Sequence, residues 1–432
     1  MSSERWSAPS RWTLAAGAAV LVAACVGAAA LAGAFGPSAL TPAQIAARAR
    51  HRILVAETRV VDRAARDVPA VLPRTEGAPA PAAPLALFSR PLAAHTVYGF
   101  VPYWEVGSLT AADFARTSVL SYFGVGVAAS GALVRSGFAW QDFTAPRFAH
   151  FVSEAHAAHD RVLFTVSTTD AAVIGHLTAA PGATSARLAA ELSRVVASAH
   201  LDGVDLDIEG RSPAERAGFV TFVRDLSSAL RRALPGTEIV LDTYPQSAGS
   251  ANDFFDVARL APRVDALFVM AYDMGDPTVP SANSPLASPT LGLSDVGSLL
   301  AYVKAVPPAK LVLGLPFYGY DYTTTRRGRG SRVVGGGPVA VTYAAIVAAG
   351  HRALWDPASL TPYTVFELSG RWHETWYDDP VSLALKVSLA ADLHLGGVGA
   401  WALGQEGPAA QMVAALDGGR APVKLPLVAT GG

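Results

Sequence analysis

The amino-acid sequence predicts an α/β fold, a TIM (β/α)8 barrel, from three observations. Eight short apolar segments recur, at 97–103, 119–127, 162–167, 204–209, 239–244, 266–272, 311–316 and 398–403, and eight parallel strands close such a barrel. Most read as continuous apolar runs, as strands covered on both faces do. Between them lie helix candidates at 147–159, 184–200, 213–234 and 294–306, whose apolar residues recur at three- and four-residue spacing. The barrel is expected over residues 96–418.

Ahead of it, residues 12–35 form an almost unbroken apolar run rich in Ala, Leu and Val, preceded by Arg5 and Arg11. A bilayer is spanned by roughly 20 such residues. Residues 1–40 are therefore expected to be an N-terminal signal anchor or a signal peptide. Val22-Ala23-Ala24-Cys25 also resembles a lipoprotein box, although the apolar run continues past Cys25. Arg48, Arg50 and Arg52 follow closely, so the distribution of positive charge leaves the orientation open. From 41 to 67, Ala and Val alternate with Arg, Gln and Glu, as in a polar helix, and 68–91 is dense in Pro and Ala. That composition favours an extended, semi-rigid spacer. Residues 41–95 thus read as a helical stalk and linker, with the domain boundary near His95.

One interval, 320–386, is too long for a plain strand–helix unit. It carries Arg326, Arg327, Arg329 and Arg332 among glycines, then Trp355, Tyr363, Phe366, Trp372, Trp376 and Tyr377. A small α+β insertion at about 321–380, between strands seven and eight, is expected, with a tail at 419–432. The arginines read as a solvated loop or as a contact for an anionic polymer.

Lys and Arg total 34 against 35 Asp and Glu, so no global field steers the chain toward nucleic acid, and no nucleic-acid partner is expected. The only cysteine is Cys25, which leaves the barrel without disulfides or cysteine-held metal. No H-E-x-x-H, Walker or dinucleotide motif occurs, so neither a metal nor a cofactor is expected. His150, His156 and His159 read as a helix surface.

The fourth segment breaks the apolar rule. Side chains alternate along a strand, so Asp205, Asp207 and Glu209 share one face while Val204, Leu206 and Ile208 share the other. With the apolar set against the helices, the acids point into the barrel and Glu209 lies nearest its C-terminal mouth, where sites of this architecture sit. Neighbouring carboxylates repel, so coupled titration is expected, with at least one proton retained near neutrality. Glu209 is the natural holder of a proton to be donated. A solvated charged strand would need Val204, Leu206 and Ile208 to turn inward. A calcium loop would need a bidentate Glu at its twelfth position, which is Arg216.

Asp202-Gly203-Val204-Asp205-Leu206-Asp207-Ile208-Glu209 resembles the D-G-x-D-x-D-x-E signature of family 18 chitinases. Further similarities fall in order between Tyr98 and Gln405: Tyr98-Gly99-Phe100 with Tyr103-Trp104, Met270-Ala271-Tyr272-Asp273, Leu313-Gly314-Leu315-Pro316-Phe317-Tyr318-Gly319 and Gly399-Ala400-Trp401-Ala402-Leu403-Gly404. Trp376-Tyr377-Asp378-Asp379 with Ser382 and Lys386 is similar to members with an inserted lobe, such as bacterial cell-wall and spore-cortex enzymes. The third strand departs from the pattern: it ends Val166-Ser167-Thr168-Thr169-Asp170, without the usual paired glycines.

The resemblance implies a glycosidase with a retaining mechanism assisted by the substrate's own 2-acetamido group. Glu209 would protonate the glycosidic oxygen. Asp207 would orient the acetamido group, Asp205 would hold a shared proton behind it, and Tyr272 would donate to the acetamido carbonyl. Asp202 and Gly203 would be structural. Trp401 would floor the site. Tyr103, Trp104 and Tyr318 are either subsite walls or core, and Asp273 and Glu105 are equally open between binding and structure. The implied partner is a polysaccharide containing N-acetylglucosamine, chitin or peptidoglycan, met by an exported monomer at the cell surface, held to the membrane by its N-terminal segment or secreted. Two other functions share the motif: a lectin-like binder that has lost catalysis, and an endo-β-N-acetylglucosaminidase acting on glycoprotein glycans.

Overall fold

Eight parallel strands close a barrel in the computed structural model, which describes residues 48, 52–61, 75–80, 95–288 and 292–418. Its strands are β1 (Thr96–Pro102), β2 (Val119–Gly126), β3 (Arg161–Thr168), β4 (Gly203–Ile208), β5 (Glu238–Thr243), β6 (Ala266–Met270) and β7 (Leu311–Pro316). After an inserted lobe of five strands, β8 to β12, the barrel is completed by β13 (Gly397–Trp401), which pairs with both β7 and β1. All eight lie within two residues of the segments expected from the sequence. Burial on both faces explains why they were legible: β1, β4 and β7 contain scarcely an exposed residue.

The outer helices bury one stripe each. Phe148, Phe151, Val152 and Ala155 of Pro146–Ala157 face the strands, as do Leu188, Leu192, Val195 and Val196 of Pro181–Ser198. In Arg216–Ala233 the buried set is Phe219, Val220, Phe222, Val223, Leu226, Ser227 and Leu230. Both Pro146 and Pro181 occupy a first turn, where the missing N–H costs nothing.

The insertion is an antiparallel sheet in the order β10-β11-β12-β8-β9, built from β8 (Tyr318–Thr324), β9 (Val339–Thr342), β10 (Ala353–Asp356), β11 (Thr361–Leu368) and β12 (Arg371–Trp376). A short helix, Tyr343–Ala348, makes it α+β. Its own small core joins Tyr322, Tyr363 and Trp376 to Ala282 of the barrel loop after β6. The rings of Tyr363 and Trp376 stack at 4.7 Å.

Parts of the stretch read as stalk and spacer lie against the domain. Residues 52–61 are helical, and the buried Glu57 accepts from Ser294 Oγ at 2.5 Å and Ser288 N at 3.2 Å. Ser294 in turn caps the helix Asp295–Ala305. Within the Pro/Ala-rich stretch, 77–80 runs antiparallel to β10: Gly77 N donates to Trp355 O, Trp355 N to Ala78 O and Ala80 N to Ala353 O, at 2.9–3.2 Å. Glu76 adds an ion pair to Arg329 at 3.0 Å. The segment thus covers an edge that would otherwise offer unpaired backbone groups. Among the described residues no helix is long and apolar enough to cross a membrane. The segments expected at 1–40 and 419–432 lie outside the described residues.

A chain starting at residue 95 is expected to lose about 5 kcal/mol of stability relative to one starting at residue 52, from three backbone hydrogen bonds and the two Glu57 contacts at about 1 kcal/mol each. Urea unfolding of the two chains, followed by tryptophan fluorescence, measures the difference.

Candidate active site

β4 carries the centre of the site because its two faces have opposite chemistry. Val204, Leu206 and Ile208 are fully buried among the helices, which turns Asp205 and Asp207 inward and leaves Glu209 at the C-terminal end. Two glycines bracket the strand by close approach. A Cβ on Gly203 would sit 2.3 Å from the Glu238 carbonyl oxygen of β5, and one on Gly210 would strike the ring of Phe254. Asp202, at the opposite end, accepts from Val162 N at 2.8 Å and pairs with His156 Nε2 at 2.9 Å. It therefore holds the foot of the strand, far along β4 from Glu209, and His156 is tied to it instead of being only helix surface.

Burial sets the electrostatics. Desolvation pushes Asp205 up to about 7 against the opposing influence of the Thr165 and Tyr98 hydroxyls that face it. Asp207 is raised well above the usual carboxylate range by desolvation and then by Glu209 and Asp205. Glu209 is raised by desolvation, with the guanidinium of Arg211 pulling the other way. Arg211 Nη2 lies 3.5 Å from Glu209 Oε2, and its guanidinium sits 4.2 Å over the ring of Tyr244.

The end of β3, where paired glycines were expected from the family pattern, does a different job. Thr168 O accepts from Glu209 N at 2.9 Å, Ser167 is the register partner of Asp207, and Asp170 caps the helix Ala171–Ala179.

Tyr272 follows β6, is nearly buried, and faces Asp207, Glu209 and Asp273 as well as Asp242. Its neighbour Asp273 has φ +58°, and accepts hydroxyl hydrogen bonds on Oδ1 from Tyr318 and, at 2.8 Å, from Tyr320. Asp273 N donates to Asn283 Oδ1 at 2.8 Å. Next to Asn283, Ser284 accepts from Lys386 Nζ at 2.8 Å, and that fully buried ammonium also holds Asp378 at 2.5 Å and Asp295 at 3.9 Å. Trp401 ends β13 against Phe100 and Phe123, with ring centroids 5.2 and 4.5 Å away, and is joined to Ala402 by a cis peptide. Tyr103 and Trp104 leave β1 at the same barrel end, with their rings 4.8 Å apart and Trp104 exposed.

Three groups at this centre were not singled out from the sequence. Asp242 and Tyr244 lie on β5 and its exit, and Arg211 lies two residues past Glu209. A lone acid within Ile239-Val240-Leu241-Asp242-Thr243 has no spacing partner along the chain; its partners are on β4. Among the described residues no group of three or more His, Cys, Asp and Glu side chains is placed to hold a metal ion.

The model of glycosyl hydrolases family 18 matches residues 86–406. Rat di-N-acetylchitobiase (Rattus norvegicus) is 27% identical over 227 residues, 47% of this chain and 60% of its own length. The cortical fragment-lytic enzyme of Bacillus anthracis is 26% identical over 209 residues, 46% of each chain. This chain therefore spans about half to three-fifths of these relatives. The spore cortex-lytic enzyme SleL of Bacillus cereus has the same fold, with a TM-score of 0.62 at 18% identity over 76% of this chain and 75% of its own.

Lys386→Ala would strand two buried acids behind the Asp273 loop, at a cost of roughly 3–5 kcal/mol. Burial holds Asp295 at about 7 even with Lys386 opposing it. The unfolded carboxyl is common to both chains, so the deficit grows as pH rises above about 7, where Asp295 ionises only with the ammonium beside it. Urea midpoints across a pH series read both effects.

Proposed function

As the chain belongs to glycosyl hydrolases family 18, we propose that it is an exported glycosidase that hydrolyses β-1,4-linked N-acetylglucosamine-containing polysaccharide, chitin or peptidoglycan. The observation that carries this reading is the inward file Asp205, Asp207, Glu209 on β4, ending at the mouth opposite Tyr272. In the proposed reaction Glu209 keeps its proton through desolvation and gives it to the glycosidic oxygen. The substrate's acetamido oxygen attacks the anomeric carbon, so no protein nucleophile is used, and the configuration is retained. Asp207 orients the acetamido N–H and balances the positive charge of the oxazolinium ion. Tyr272 donates to the acetamido carbonyl, and the Trp401 face supports the sugar ring at the cleaved bond. Water, deprotonated by the Glu209 carboxylate, then opens the ring ion and restores the acid.

Export rests on the apolar run at 12–35, which would either anchor the enzyme at the cell surface or be removed as it is secreted. The di-N-acetylchitobiase name fits a substrate with N-acetylglucosamine. Retention of Glu209 favours an enzyme over a lectin, because a binder has no use for a proton donor.

Glu209→Gln is expected to lower kcat/KM on a chromogenic N-acetyl-chitooligosaccharide by about a hundred- to ten-thousandfold, with oligosaccharide binding kept in calorimetry. Turnover equal to wild type would sink the assignment. Mass spectrometry of the reducing ends released from chitin and from purified peptidoglycan identifies the polymer. Arg211→Leu removes the cation that eases ionisation of Glu209. The general acid then stays protonated longer, and the alkaline limb of the kcat/KM profile moves to higher pH.

A further inference from the structure

Four carboxyls line the same inner wall, one more than the β4 file itself supplies. Asp205 is the register partner of Val240 and Leu206 of Leu241, so Asp242 shares the face of Asp205 and Asp207 and stands beside Asp207. Asp242 is 2% exposed, and its Oδ1 meets no donor among the described residues. The strand that carries it is fixed from behind: Tyr302 OH donates to Thr243 Oγ1 at 2.8 Å and to Tyr244 O at 2.6 Å. Facing Asp242 are Asp205, Asp207 and Glu209 from β4 and its end, Tyr272 from the exit of β6, and Tyr98 from β1. Tyr244 stands two positions further along its own strand, with Arg211 over its ring.

Such a group cannot carry four charges in a dry wall. The neighbours decide where the protons stay. The Thr165 and Tyr98 hydroxyls favour the anion of Asp205, and Asp242 itself favours the anions of Asp205 and Asp207, whereas every neighbour acting on Asp242 opposes its ionisation, so a proton is held most cheaply on Asp242.

We propose that Asp242 is a positioning residue for this site: its carboxyl keeps a proton and donates it to Asp207, so that Asp207 meets the acetamido group as an anion in a fixed orientation. This rests on the substrate-assisted reading above. Asp242 is raised well above the usual carboxylate range by burial and then by Asp205, Asp207 and Glu209, and its hydrogen bond lowers Asp207. Asp242 itself touches neither the sugar nor the leaving oxygen; it acts through Asp207.

The test compares Asp242→Asn with Asp242→Ala in the full chain. Asparagine still donates N–H to Asp207, so kcat and both limbs of the pH profile should match wild type. In Asp242→Ala, kcat should fall by about ten- to a hundredfold with KM little changed. Its acid limb should also move toward neutral pH, because Asp207 loses the donor that favours its anion. Wild-type kcat in the alanine variant, an acid limb that stays in place, or an asparagine variant as impaired as the alanine one would overturn the proposal. A second measurement needs no turnover. A carboxyl kept protonated in the fold but ionised in the unfolded chain costs stability as pH rises above ~4. The Tm of Asp242→Asn should therefore rise relative to wild type from acid to alkaline pH, and a constant difference would also overturn the proposal. Inactivity of the wild type on both polymers would instead count against the proposed function, while the Tm series still decides whether Asp242 holds a proton.

Discussion

Burial of Asp205, Asp207 and Asp242 on one wall of the barrel, with the half-buried Glu209 at its mouth, forces their carboxyls to compete for protons, and the neighbouring structure settles that competition. A desolvated carboxyl prefers its neutral form, while each hydroxyl or cation beside it pulls the other way. Thr165 and Tyr98 act on Asp205, Arg211 acts on Glu209, and Tyr318 and Tyr320 act on Asp273. These five groups come from four elements: β3, β1, the loop after β4, and the lobe strand β8, which supplies both tyrosines of Asp273. The closed barrel brings them together, because residues from separate strand ends converge on one mouth.

Much of this was legible before any coordinates. Parallel strands buried on both faces must be apolar throughout, so seven of the barrel strands show as apolar runs, and β4 shows as the run that alternates with acids. That alternation also gave the inward direction of Asp205 and Asp207. Asp242 was not legible, because its significance comes from the register of β5 on β4, and a single Asp in an apolar run has no spacing to read. Arg211 was not singled out either, because a lone arginine past the strand end has no spacing partner. The Pro/Ala-rich stretch was read from composition as a spacer, yet 77–80 pairs with β10 through backbone groups, and backbone pairing leaves little trace in side-chain chemistry.

The similarity to family 18 directed attention to paired glycines at the end of β3, and their replacement illustrates how a shared geometry tolerates different local solutions. Here Thr168 holds the backbone of Glu209 and Asp170 starts the next helix.

The first and last strands of the lobe lie side by side, with Tyr320 opposite Trp376, so the inserted segment leaves and re-enters the barrel at nearly one place. Such an arrangement invites the view of the lobe as a detachable module, to be trimmed or exchanged at its neck. Two hydroxyls from that neck, however, end on Asp273 beside Tyr272, and Asp378 just past β12 anchors Lys386 beneath the loop that carries Asn283. Chain exchange at this point would cut through the supports of the mouth, so barrel and lobe form one inheritable unit whose junction must vary together.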